Sequence, residues 1–126
     1  MTRLLPALAL VLVAAGATAA DSNKDLDKAL AGRTPGAPID CIDNSMAEGP
    51  QIIDDHTILY RSGRHVYRNT LDHACPSLDS FKILIVELHG SQICRRDHFR
   101  VTEPGAVVPG PVCWFGKFVP YDKPKS

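Results

Sequence analysis

The sequence carries no surplus of charge: 14 Lys plus Arg stand against 14 Asp plus Glu. That balance argues against the broad positive field on which non-specific nucleic-acid binding rests, and no polybasic tail is present to hold a membrane surface. Cys-x-x-Cys is missing, so a thioredoxin-like redox centre has no support. Zinc-ligand pairs a few residues apart are missing too, as are His-x3-His and His-Glu-x-x-His. Nor is there a Gly-x-Ser-x-Gly elbow or a glycine-rich phosphate loop. No catalytic motif, metal set or cofactor motif can be read, and the expectation is a chain that is not an enzyme and holds no cofactor. Internal repeats are absent, and 126 residues is the length of one domain.

What is present begins with an export signal. Arg3 supplies a short basic start, residues 4–13 form an apolar run, and residues 14–20 are small. Ala17-Thr18-Ala19 and Thr18-Ala19-Ala20 both fit the small-x-small pattern, placing cleavage before Ala20 or Asp21. As a membrane span the run is slightly short, weakly apolar in its second half and interrupted by Pro6. Residues 1–20 are therefore expected to be a signal peptide, leaving no transmembrane anchor after cleavage. With no cysteine near the site, a lipid anchor is not expected. Loss of Arg3 leaves the mature chain with a net charge near −1. Its location is expected to be periplasmic or secreted.

Cys41, Cys75, Cys94 and Cys113 are an even set in an exported chain of this size, which reads as two disulfides. Four cysteines allow three connectivities, and spacing does not choose among them. The pairing expected is Cys75 with Cys94 and Cys41 with Cys113, the latter joining the first strand to the last as a barrel closes.

Residues 21–38 read as a linker or short helix, with Leu26 and Leu30 on one face, Gly32 as a stop and a Pro- and Gly-rich stretch after it. Residues 39–122 read as the disulfide-bonded domain. A strand over about 56–61, a turn at Ser62-Gly63 and a second run over 65–71 make a hairpin. Residues 81–88 are apolar on both faces, the pattern of a central, doubly covered strand. A strand over 93–102 points Phe99 and Val101 inward and Arg96, His98 and Arg100 outward. After a Pro- and Gly-rich loop, residues 112–119 form the last strand. The fold class expected is mainly β: a small antiparallel sandwich or partly closed barrel of five or six strands, stapled by two disulfides, with a short N-terminal helix or flexible tail.

One ordered set of motifs has a familiar look. Cys41-Ile42, Asp54-Asp55-His56-Thr57-Ile58-Leu59, Asn69-Thr70-Leu71, Cys75-Pro76-Ser77-Leu78, Ile93-Cys94-Arg95-Arg96-Asp97 and Cys113-Trp114-Phe115-Gly116-Lys117-Phe118 follow one another over most of residues 40–120. The set resembles a family of short exported Gram-negative bacterial proteins catalogued as a domain of unknown function. Some of those proteins are lipid-anchored, unlike the form expected here. The resemblance implies export and disulfides and carries no activity.

Among residues able to carry chemistry, His56, His73 and His98 each follow an aspartate. Adjacent residues of a strand point to opposite sides, so such a pair cannot chelate alone. The more informative signal is basic. Arg61, Arg64 and Arg68 cluster around the hairpin, and Arg96, His98 and Arg100 lie on the later strand. If these elements are neighbours they form a cationic patch able to dock an envelope protein or a polyanionic envelope component. The plain alternative is that these arginines keep strand edges soluble. Of Trp114 and Phe115, one reads as packing against a disulfide in the core and the other as closing the barrel, with a carbohydrate platform as the alternative. Asp97 reads as a turn residue, and Gly63 and Gly116 as backbone necessities. The functional expectation is a non-catalytic binding or accessory module of the periplasm acting through an Arg-rich face. The alternatives are a small metal-binding protein using His and Asp side chains, or an inhibitor of an envelope hydrolase.

Overall fold

The computed structural model describes residues 17–124, residue 2 and residues 9–11. The leader expected over residues 1–20 thus falls for the most part outside the described residues. Helix α1 (Ala17–Leu30) is followed by β1 (Thr34–Pro35), β2 (Cys41–Asp43), β3 (Glu48–Ile52), β4 (Thr57–Ser62) and β5 (His65–Thr70). Then come β6 (Ile83–Val86), β7 (Gln92–Cys94), β8 (His98–Thr102), β9 (Val112–Trp114) and β10 (Phe118–Asp122). Among the described residues no helix is long and apolar enough to cross a membrane.

The strands form three antiparallel sheets, ordered β1-β10-β5-β4-β3, β2-β7 and β6-β8-β9. The mainly β, antiparallel, twice-stapled class is as expected, but among the described residues the strands are ten short ones and no sheet closes on itself. β1 and β3 stay at opposite edges of the large sheet. The long strands expected over 93–102 and 112–119 each break in two. A turn at Arg95 and Arg96 separates β7 from β8, and residues 115–117 carry the chain from the small sheet to the large one. Those breaks move the chain between layers, giving a sandwich instead of a barrel.

The hairpin forms as read, with Thr57 opposite Thr70 and Ser62 opposite His65. Its turn is Gly63-Arg64, one residue later than expected, because Gly63 supplies the positive φ of 57° required at the first turn position. The doubly covered strand is β4, whose Thr57, Ile58, Leu59 and Tyr60 are all buried. The 81–88 run is instead β6, an edge strand with Ile83 and Ile85 each 47% exposed. Apolar composition alone did not distinguish a central strand from an edge whose outer face lies bare.

The core lies between the sheets. Ile52, Ile58, Tyr60 and Phe118 of the large sheet meet Ile42 and Ile93 of the two-stranded sheet and Phe99, Val101 and Cys113 of the three-stranded one. On the opposite face of the large sheet, Leu26, Ala29 and Leu30 of α1 cover Ile53, Leu59 and Val66. Residues 21–38 are therefore attached to the sandwich: the helix shields a sheet face, and β1 pairs with β10. That docking is what makes so short a helix stable in water.

The disulfides join Cys41 to Cys94 and Cys75 to Cys113, which corrects both expected pairs. Cys41 and Cys94 face each other across β2 and β7, with Cα atoms 4.0 Å apart. The flanking Arg95 N–H donates to the Asp40 carbonyl, so the cysteines form the closer, non-hydrogen-bonded kind of pair. Cys75 lies in the loop after β5 and reaches the middle of β9. The expected Cys41–Cys113 pair presupposes a closed barrel, and the sheets remain open.

Tyr60 lies among Phe115 and Phe118, and its hydroxyl finds no hydrogen-bond partner among the described residues. Burial pushes its phenol well above the ordinary range. A buried donor left unsatisfied costs about 1–3 kcal/mol. Tyr60→Phe is therefore expected to raise stability by about 1 kcal/mol in urea unfolding; a clear loss would show that the hydroxyl has a partner.

Candidate functional site

The six residues of the expected cationic patch fall into two groups. Side chains alternate along a strand, so Arg61 shares the α1-facing side of the large sheet with Leu59. Arg68 lies opposite Leu59 on that same side, and Arg64 sits in the hairpin turn. Arg96 occupies the turn before β8, while His98 and Arg100 lie on the outer face of the three-stranded sheet, where they oppose Trp114 and Val112. The core separates the groups, and they do not make one surface.

Of the first group, Arg61 alone lines a larger feature, and Arg64 and Arg68 do not. A polar groove of about 450 Å³ between α1 and the large sheet is lined by Lys28, Arg33, Arg61 and Lys123, with Asp25 as its acidic member. Arg33 holds the place together: its Nη1 donates to the Arg64 carbonyl at 2.7 Å and to the Tyr121 carbonyl at 3.3 Å. Arg61 donates to Gln51 Oε1 at 2.8 Å. Among the described residues none of the four cations forms an ion pair with a carboxylate. Lys28, Arg33 and Lys123 were not singled out from sequence, because they lie in the two segments flanking the domain. Only the pairing of β1 with β10 brings those segments together.

A second concavity, of about 320 Å³, lies on the other side of the sandwich. Its floor is the buried Cys113 and Phe115; Pro76, Val112 and Trp114 add apolar wall. Arg96, Asp72 and His73 are exposed at its rim. The member of the aromatic pair that packs in the core is Phe115, which is buried, while Trp114 is 57% exposed and closes no barrel. The Arg96 turn is tied to its neighbours by hydrogen bonds. Its N–H donates to the Phe115 carbonyl at 3.0 Å, Phe115 N–H donates to Asp97 O at 3.0 Å, and Asp97 Oδ2 accepts from Cys94 N–H at 2.8 Å. Arg96 is held at φ 72°, a left-handed conformation that is uncommon for a residue with a side chain. The facing loop is fixed by Leu71 N–H to the His56 carbonyl at 2.8 Å, Cys75 N–H to the Asp55 carbonyl at 2.7 Å, and the Cys75–Cys113 bridge.

The histidines do not converge on one point. His56 lies in a turn with Asp54 and Asp55, all three ligand atoms within 4.8 Å of one another. This convergence was not anticipated from a strand reading, and a turn permits it. The Asp54 carboxylate also accepts the His56 N–H at 3.0 Å, and Asp55 contacts His56 Nδ1 at 2.7 Å, so both carboxylates are engaged inside the turn. His65 pairs with Asp122, and His98 pairs with Glu87. The resolved pKa shifts lie elsewhere. A Ser45 hydroxyl bond lowers Asp43, burial raises Tyr60 and Tyr67, and Glu103 raises Lys82. These are local hydrogen-bonding and burial effects, and none of the four groups lines the groove or the Trp114 concavity.

Comparison of the chain with protein-family models, curated proteins and solved structures returns no match in any of the three.

Proposed function

We propose that this chain is an exported, non-catalytic binding module of the periplasm or extracellular space that docks a polyanionic envelope component in the groove between α1 and the large sheet. The observation that carries this reading is the gathering of Lys28, Arg33, Arg61 and Lys123 around one groove with Asp25 as the acidic member. Unpaired cations lining one concavity concentrate positive potential even on a chain of neutral total charge. Two disulfides fit an oxidising compartment, and the leader-like start and the resemblance of residues 40–120 to exported proteins support the same location.

A titration with polyglutamate, followed by calorimetry, tests the reading, with neutral dextran as control. The wild type should bind polyglutamate and ignore dextran, and the affinity should fall as salt is raised. Reversing two charges, Arg61→Glu with Lys123→Glu, should weaken binding roughly tenfold or more, since each desolvated charge contact contributes on the order of 1 kcal/mol. Undiminished binding by the double variant, or no binding at low salt by the wild type, would overturn it.

A further inference from the structure

We infer that the concavity beneath Trp114 is a second, separate binding site, whose ligand is a small amphipathic monocarboxylate with an apolar body the size of a medium-chain fatty acid. The body of the ligand is specified by the walls. Pro76, Val112, Phe115 and Trp114 line a space of about 320 Å³, within the range of small-molecule sites, which are mostly apolar with a few placed polar groups. Trp114, one of the lining residues, leaves over half its whole surface bare, and a ligand rich in C–H groups would cover part of it.

The head group is specified by the two arginines of one turn. Arg95 lies 3.9 Å from the Asp72 carboxylate, close enough to offset its charge without a hydrogen bond. Arg96 makes no ion pair among the described residues and stands on the rim. A guanidinium offers a planar fork that matches a carboxylate with two parallel hydrogen bonds. With Asp72 on the same rim offset by Arg95, Arg96 is left as one unbalanced positive charge, which a singly charged carboxylate matches and a doubly charged phosphate exceeds. The backbone conformation points the same way. Strained, over-determined residues gather at ligand clamps, and Arg96 is fixed at φ 72° by bonds on both sides of its turn.

The strained φ also provides a clean variant. Glycine adopts that conformation freely, so Arg96→Gly removes the guanidinium while leaving the fold at least as stable. The chain's single tryptophan is Trp114, so its emission reports directly on the site. Octanoate is expected to shift that emission to saturation. Octanol, which has the body without the charge, and acetate, which has the charge without the body, should each bind at least tenfold more weakly. Arg96→Gly should lose roughly tenfold or more in octanoate affinity with an unchanged or higher thermal midpoint. The inference is overturned if octanoate leaves the wild-type emission unmoved, if octanol binds as tightly as octanoate, or if Arg96→Gly retains full affinity. None of these outcomes bears on polyglutamate binding in the α1 groove, which is read separately by calorimetry.

Discussion

Gly116→Ala is expected to destabilise the protein by about 3 kcal/mol or more, enough to unfold a large share of a domain whose total stability is on the order of 5 kcal/mol. A Cβ at this position would stand 1.9 Å from the Thr70 carbonyl oxygen and 3.5 Å from the Leu71 Cα. Those neighbours are backbone, so no side-chain rotation relieves the overlap. The residue cannot slide away either, because Phe115 and Phe118 on both sides are buried in the core. Asn69 fixes the same spot: its Nδ2 donates to the Gly116 carbonyl at 2.8 Å, and its Oδ1 accepts the Gly116 N–H at 2.9 Å. Asn69 is itself fully buried, so Asn69→Ala would orphan both backbone groups of Gly116 and is expected to cost about 2–4 kcal/mol. Urea unfolding followed by circular dichroism measures both. A Gly116→Ala midpoint indistinguishable from wild type would mean that the 115–117 crossing has freedom the close contacts deny it.

Reduction of both disulfides is expected to unfold the domain, and the two bridges should open in order. They close segments with sequence separations of 53 and 38 residues. In the chain-entropy account each constrains the unfolded state by roughly 4 kcal/mol, so losing both removes more than the stability of about 5 kcal/mol that such a domain possesses. Access differs between them. Cys75 is fully buried and Cys113 nearly so, whereas Cys41 and Cys94 are half-buried and line an open concavity with Asp40, Arg95 and Arg96. Mild reductant should therefore release Cys41 and Cys94 first, giving a species with two alkylated thiols that keeps its β spectrum. Stronger reduction should yield four labels and loss of structure together. Mapping the first label to Cys75 or Cys113, or finding four labels without an intermediate, would contradict this order. Peptide mapping of the oxidised protein checks the pairing as well.

The residues that sequence alone made legible are those whose role is local. Gly63 in a hairpin turn, Gly116 at a close approach and Asp97 tying its own turn follow from backbone sterics and short side-chain reach, and all three do those things in the structure. The β4–β5 hairpin follows from alternation and a glycine turn within about fifteen residues, and the mainly β class and the presence of two disulfides follow from composition and an even cysteine count.

What sequence could not supply depends on which distant segments meet. The cysteine partners were set by β2 lying against β7 and by the 71–78 loop lying against β9, and neither juxtaposition leaves a mark in spacing. The single cationic patch expected from Arg61, Arg64, Arg68, Arg96, His98 and Arg100 divides because a sandwich has two outer faces. The groove with Lys28, Arg33 and Lys123 arises only when β1 pairs with β10 and draws the flanking segments together. Trp114 lies open while Phe115 is buried because neighbouring residues of a strand and its exit point to opposite sides, and only packing decides which side is the core. Local chemistry thus determined the turns, the strand class and the oxidised cysteines; long-range pairing alone decided the connectivity, the layers and both concavities, because residues far apart in sequence meet only when apolar faces are buried against one another.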